Sequence, residues 1–291
     1  MTLRHLTIFI KVFDLGSMTA AAQALFISQP TVSQAISELE NYYGIKLFDR
    51  LAKHLFITDK GAQLLSYARH ITDLVTEMEQ AMKNPDQHGI IKVGASLTIA
   101  NYLLPDLVSN FSQQYPLIKV QAITKNTKDI ESLVMKNSID FAIVEGSIHS
   151  PDIIENVFME DKLILVCGKS HFLYNSKSIP PRSLKDLAFI VREAGSGTRE
   201  LFENMMAAQQ LTWQPSWECN GSDILKNAAI KGLGIGVISQ RLVADELKAG
   251  TLARINVKGV ELQRKFSVIY HKNKFLSGSM QSFINLCYKF V

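Results

Sequence analysis

AAQALFISQPTVSQAISELENYYGIKLFDR, residues 21–50, decides the fold of the first part of the chain. Ser17 stands before the alanine-rich MTAAAQALF and caps a short helix there, whose small side chains let another helix come close. After a tight turn at Ile27, Ser28 caps a second helix over QPTVSQAISELENYYG. Pro30 lies in its first turn, where a missing N–H costs nothing, and Gly44 closes it. The spacing therefore predicts two short helices joined by a tight turn. Upstream, Leu3, Leu6, Ile10 and Phe13 recur at helical intervals and Gly16 ends the run, which predicts an amphipathic helix before them.

The helix after Ser28 divides into two faces. Val32, Ile36, Leu39 and Tyr43 make an apolar stripe, while Ser33, Gln34, Ser37 and Asn41 project from the opposite side. Short hydrogen-bonding side chains suit the base edges of a major groove, and an ordinary solvated face would carry the same residues. The continuation KLFDRLAKHLFITDKG favours the first reading: Arg50 and Lys53 stand on a short loop before a strand-like LFIT, as in a wing whose cations reach phosphates.

The run AA-x-x-L-x-x-SQP-x-VS-x-x-I-x-x-LE-x-x-x-G-x-x-LF-x-R, followed by ITDKGAQLL, resembles the winged helix-turn-helix of the LysR-type transcriptional regulators. Here Lys53 and His54 stand where that family usually carries more arginine, and Ile57 replaces its usual leucine. The resemblance implies a DNA-binding regulator and no enzyme. Its DNA-binding residues would be Gln29, Pro30, Thr31, Ser33, Gln34 and Ser37 near bases or phosphates, and Arg50 and Lys53 on the backbone. Its partners would be a double-stranded DNA operator, a small-molecule effector and RNA polymerase, and it would form a homodimer assembling to a homotetramer.

Composition agrees with a globular protein of about two domains: 291 residues, 47% hydrophobic, 20% charged and a net charge of +4. That charge permits a polyanionic partner without requiring one. Three cysteines lie far apart with no Cys-x-x-Cys pair, which suits a reducing cytosol; they read as small buried hydrophobes, with a redox-sensing thiol as the alternative. Lys11 and Asp14 interrupt any signal-peptide core and no apolar run reaches membrane-span length, so a cytoplasmic chain is expected.

From Thr58 a longer helix is expected to about Met82. Leu64, Ala68, Ile71, Val75, Met78 and Met82 step by four and three, a seam for dimerisation or for packing along the same subunit. KNPDQHG then marks a hinge. Beyond it, strands and helices alternate: IIKVGA, the helix TIANYLLPDLVSNFSQQYP, LIKVQAIT, the helix KDIESLVMKN and IDFAIVEG. DKLILVCGK, LAFIVRE, a helix after GSGTR, WQPSWEC, the helix SDILKNAAIKG and IGVIS make a second such run, and FSVIYHK and a terminal helix close the chain. Alternation of this kind implies parallel strands with crossovers.

The fold class expected is thus α/β, with an N-terminal winged helix-turn-helix (1–58), a linker helix and hinge (59–89) and an α/β part (90–291) that the resemblance makes a periplasmic-binding-protein-like effector domain. The resemblance implies two α/β subdomains in the last, 90–162 with 267–291, and 163–266.

Three hydroxyl-bearing corners follow strands. GSGTR lacks the lysine of a phosphate-loop enzyme, so AGSGT reads as an anion-binding helix start at Ser196, Gly197 and Thr198, or as a simple capped turn. GASLT places Ser96 and Thr98 similarly, and NGSD places Ser222. Ligands of open α/β sheets gather at such corners. The family resemblance implies an effector between the subdomains, on Ser96, Thr98, Ser196 and Thr198 with Glu145 and Gly146 as cleft wall; Gly197 and Ser222 join the expected effector-binding set from their own corners. RE-x-GSGTR with IVEG is similar to the subset that includes regulators of sulfur assimilation and carbon dioxide fixation, which points toward a small anionic metabolite. GLGIG follows a helix and precedes a strand, the reverse of a dinucleotide fingerprint, so Gly232 reads as a helix end. The seven histidines show no metal spacing; neither a metal nor a cofactor is expected, and no catalytic set is found.

Overall fold

The computed structural model describes residues 1–51, 54–83 and 89–290. The chain forms two compact units, Met1–His88 with Asn273–Phe275, and Gly89–Lys272 with Leu276–Val291.

In the first unit, α1 (Leu3–Leu15), α2 (Met18–Ala24) and α3 (Gln29–Tyr43) precede the hairpin of β1 (Phe48–Leu51) and β2 (His54–Ile57), and α4 (Asp59–Lys83) follows. The caps fall where the sequence puts them. Ser17 Oγ accepts from Ala20 N–H and Ser28 Oγ from Thr31 N–H, while Gly16 and Gly44 end their helices in the left-handed conformation. Phe9, Val12, Ala21, Val32, Ile36, Leu39 and Leu47 make one core. The closely fitted ring of Phe9, 5.4 Å from that of Phe48, contributes about 1.5–3 kcal/mol by burial.

The apolar stripes sit slightly differently from their expected rows. In α1 the buried residues are Leu6, Ile8, Phe9 and Val12, with Leu3 exposed. In α3 Ala35 joins the core, and Tyr43 stays exposed because the helix ends there and turns its last residue outward. α4 buries Leu65 and Ala68 in this core but leaves Ile71, Leu74 and Met78 exposed. The side chain of Met82 lies outside the described residues.

The second unit is built on a mixed sheet of nine strands. Its elements in order are β3 (Gly89–Ser96), α5 (Leu97–Tyr102), α6 (Leu104–Gln114), β4 (Ile118–Lys125), α7 (Thr127–Met135), β5 (Phe141–Glu145) and β6 (Ile153–Gly168). Then come β7 (Phe189–Arg192), α8 (Gly197–Ala208), β8 (Pro215–Cys219), α9 (Ser222–Ile230), β9 (Ile235–Ser239), α10 (Ala244–Lys248), β10 (Leu252–Ile255), β11 (Leu262–His271) and α11 (Gly278–Lys289).

Parallel pairing holds within each βαβ run, β4–β3–β5 on one side and β8–β7–β9 on the other. The two long strands between them break the expected all-parallel pattern. β6 and β11 run antiparallel to each other, β11 also pairs antiparallel with β5, and β6 with β9. One sheet thus spans two lobes, each with its own core. Phe111, Phe141, Phe266 and Phe283 centre the first; Phe189, Phe202 and Met206 centre the second. Sequence periodicity missed the first half of β6 because Ile153–Glu160 mixes exposed and buried positions, and it missed the short β10 and the first residues of β11.

Candidate functional site

Two sets of residues emerge, one in each unit. On α3 the apolar face is spent on the core, so Gln29, Pro30, Gln34 and Ser37 are exposed and Thr31 and Ser33 half-exposed. Ser28 Oγ and Thr31 Oγ1 hydrogen-bond at 2.8 Å, fixing the first turn. Gln34 Nε2 donates to Glu38 Oε1 at 2.8 Å, a surface bond that a base edge can replace. This face is a row of donors and acceptors on a rigid helix. Arg50 falls on β1 opposite Leu55, but its side chain, like the whole of Lys53, lies outside the described residues.

Sequence reasoning missed Phe26. It is 96% exposed and adopts a left-handed backbone with φ 55°. The chain must reverse there: Phe26 N–H donates to Gln23 O and Ile27 N–H to Ala22 O, a helix ending that favours glycine. The ring therefore stands in solvent at the turn before α3.

In the second unit, β3, β5 and the β7–α8 turn bring most of the expected corner residues together. Ser96, Thr98, Glu145, Ser196, Gly197, Thr198 and Ser222 are all buried or close to it. What joins them is Arg264, on β11, with a side chain 2% exposed. Its Nε donates to Asp161 Oδ2 at 2.8 Å, Nη1 to Thr198 Oγ1 at 2.8 Å and Nη2 to Thr98 Oγ1 at 3.2 Å. One guanidinium thus ties a hydroxyl from each lobe to a carboxylate on the strand between them. Asp161 Oδ1 accepts in turn from Ser239 Oγ at 2.8 Å. No periodicity marks Arg264: LQRKF precedes the strand FSVIYHK read from the sequence, and its arginine is one charge among several there.

Glu145 completes this core. Its backbone N–H donates to Ser96 Oγ and its carbonyl accepts from Thr127 Oγ1. Its Oε1 lies 3.7 Å from Arg264 Nη1, and Oε2 has no hydrogen-bond partner. Burial pushes the carboxyl above the usual carboxylate range, against the pull of Arg264 and a hydrogen bond from Thr98.

The lobes also meet through bare backbone. A Cβ on Gly197 would lie 2.5 Å from Glu145 O, and one on Gly146, at φ 95°, would lie 2.9 Å from Gly197 Cα. Lys128 N–H donates to Gly195 O across the same junction. Ser196 precedes α8 without a side-chain capping bond, and its buried Oγ has no partner. Ser222 begins α9, and among the described residues no hydrogen bond joins it to the Arg264 cluster.

The three cysteines are buried and unpaired with one another. Burial raises all three thiols, Cys167 to about 11 and Cys287 to about 12, which keeps them protonated. Among the described residues no group of three or more His, Cys, Asp or Glu is arranged to hold a metal ion, and no helix is long and apolar enough to cross a membrane.

A helix with an exposed polar face, on the same chain as a two-lobed α/β unit joined by polar contacts, is the architecture of a DNA-binding transcriptional regulator with an effector domain. Residues 3–62 match the bacterial regulatory helix-turn-helix protein, lysR family, and residues 85–290 match the LysR substrate binding domain; the chain belongs to the LysR family. It is 33% identical over 289 residues to the uncharacterized HTH-type transcriptional regulator YeiE of Escherichia coli strain K12, covering 98% of this chain and 97% of that one. It is 30% identical over 287 residues to the HTH-type transcriptional activator CmpR of Synechocystis, covering 98% and 94%. The second unit is similar to the solved Synechocystis CcmR regulatory domain in complex with 2-PG, with 27% identity and a TM-score of 0.65 over 70% of this chain and 97% of that one.

Proposed function

We propose that this LysR-type regulator acts in the cytoplasm as a dimer that lays α3 in the major groove of its operator, and that a small anionic metabolite at the Arg264 junction resets it. Residues 1–58 serve as the DNA-binding domain, 59–89 as linker and 90–291 as effector domain, with subdomains 90–162 plus 267–291 and 163–266. Gln34 is the chief base reader, with Gln29, Pro30, Thr31, Ser33 and Ser37 beside it and Arg50 and Lys53 on phosphates. The exposed ring of Phe26 packs against a sugar or a thymine methyl. The exposed apolar residues Ile71, Leu74 and Met78 of α4 support a dimer seam, and the family's habit supports a tetramer that contacts RNA polymerase.

The observation that carries the effector reading is Arg264 bonded to a hydroxyl of each lobe. A ligand that competes for these bonds changes how tightly the lobes close, and its influence is limited by its differential affinity for the two states. An anion suits the place: Arg264 supplies charge, the uncapped start of α8 offers N–H groups, and Ser196 Oγ is unmatched. Ser96, Glu145, Gly146 and Gly197 surround it, and Ser222 is assigned to it as the neighbouring helix start. That a similar regulatory domain is solved with 2-PG supports a small ligand here.

Footprinting on the DNA upstream of the protein's own gene, across a salt series, tests the first half. The expected result is a protected site with half-sites a whole number of helical turns apart and a steep salt slope. Gln34→Ala with Ser37→Ala should lose about 1–3 kcal/mol of discrimination per contacted base pair while stability stays within about 0.5 kcal/mol. Unspecific protection at every salt concentration would sink the assignment of α3. For the second half, the footprint is repeated with cell-extract metabolites in wild type and in Ser196→Ala with Thr198→Val; a response that survives in the variant removes the effector from this junction.

A further inference from the structure

A cavity lies in the same unit, away from the hydroxyl corners. It is a groove of about 720 Å³ between the end of α5 at Tyr102, the turn and helix at Gln240–Lys248, and the strand segments Glu160–Lys162 and Gln263. Each lobe supplies part of its wall, and β6 and β11 form its floor. Three cations line it, Lys162, Arg241 and Lys248, against one exposed carboxylate, Glu160. Asp161 also reaches it, but its two oxygens are already bonded to Arg264 and Ser239.

Arg241 is held ready. Its guanidinium stacks on the Tyr102 ring with 5.1 Å to the centroid, donates from Nη1 to Tyr102 Oη at 2.8 Å and from Nη2 to Glu160 O at 3.0 Å. An ordered guanidinium with N–H groups to spare takes an oxyanion at little entropic cost. Among the described residues Lys162 pairs with the exposed Glu261 at 3.0 Å, a surface pair that a ligand displaces easily. Gln240 and Gln263 add amide groups suited to hydroxyls, and Ala244 and Leu247 an apolar edge.

We propose that this groove is a second ligand site, for a small hydroxylated oxyanion, coupled to the Arg264 junction through Asp161. The binding half stands on the groove alone; the coupling half rests on the effector reading above. The connection is short. Asp161 Oδ1 lies 3.6 Å from Arg241 Nε while Oδ2 holds Arg264, so one carboxylate is shared by the two guanidinium groups. An anion that draws Arg241 outward leaves Asp161 to Arg264 and strengthens the bonds that close the lobes. Tyr102 ends the helix that Ser96 and Thr98 begin, giving a second rigid link.

The test uses the full chain and glycerol 3-phosphate as probe, followed by ligand-detected NMR and by amide hydrogen exchange. Saturable millimolar binding is expected in wild type and in the Ser196→Ala, Thr198→Val variant, weakened about ten-fold or more in Arg241→Gln with Lys248→Gln. Absence of saturation in wild type overturns the site. Loss in the Ser196, Thr198 variant with retention in the Arg241, Lys248 variant overturns it too, and assigns the probe to the junction instead. Slower exchange at the starts of α5 and α8 upon binding supports the coupling; protection confined to the groove overturns that half.

Discussion

Polar side chains serve opposite ends in the two units. On α3 they stand in water on a helix whose other face is fully used by the core, so they are free to exchange one partner for another. At the Arg264 junction they are sealed from water and most are bonded to each other, Ser196 Oγ and Glu145 Oε2 being the exceptions. An exposed glutamine loses little when it trades a surface bond for a base edge, whereas a buried guanidinium cannot lose a partner without large cost. The first arrangement suits recognition by replacement and the second suits a switch, because any change there is felt by both lobes. The two differ in stability accordingly, and that difference is measurable.

The largest effect is expected from Arg264→Met. Removing the closer of its two guanidinium partners leaves buried Asp161 with Ser239 and the longer 3.6 Å contact to Arg241, and the Thr98 and Thr198 hydroxyls without their donor. Losses of this kind cost about 3–5 kcal/mol. Chemical denaturation of the full chain should show it, and adding Asp161→Leu should recover part of the loss, because the lone charge is then removed as well. If Arg264→Met were as mild as Gln34→Ala, the junction would be no more constrained than the surface of α3, and the contrast between the units would fail.

A smaller effect is expected at Glu145. Folding raises the pKa of its carboxyl, so the folded chain holds that proton to higher pH than the unfolded chain does. The associated stability is complete below the ordinary glutamate value of 4.5 and is lost as pH rises through the raised value. Glu145→Gln should therefore be more stable than wild type at neutral pH, with the gap closing under acid. An anionic effector should likewise bind more weakly as pH rises in wild type and lose that dependence in the variant. Thermal melts at a series of pH values decide it: a gap that widens toward acid would mean that Arg264 holds the carboxylate ionised.

The contrast also explains what could be read from residues alone. Caps, glycine ends and the apolar face of α3 are local properties, so Ser17, Ser28, Gly16 and Gly44 were legible, and so was the polar face opposite. The corners at Ser96, Thr98, Ser196 and Thr198 were legible as helix starts after strands. That they meet at all depends on β11 returning between β5 and β6, a long-range pairing that no local pattern encodes. Arg264 was invisible for that reason, as were Asp161 and Ser239. Tyr43 and the half-exposed stretch of β6 failed for a different one, since helix ends and edge segments do not keep a clean period.

The smallest effect separates stability from recognition within one side chain. Phe26 occupies a left-handed position that costs a non-glycine residue about 1–2 kcal/mol, and its ring gains nothing from the core. Asn tolerates that conformation, so Phe26→Asn should stabilise the chain by about 1 kcal/mol. If the ring packs on DNA as assigned, the same variant should bind the operator more weakly while its salt slope stays unchanged, since no phosphate contact is lost. Denaturation and a salt-series titration on one preparation measure both. A variant that gains stability without losing operator affinity would leave the ring without a DNA contact, and α3 alone would then carry the recognition that the surface of this unit provides.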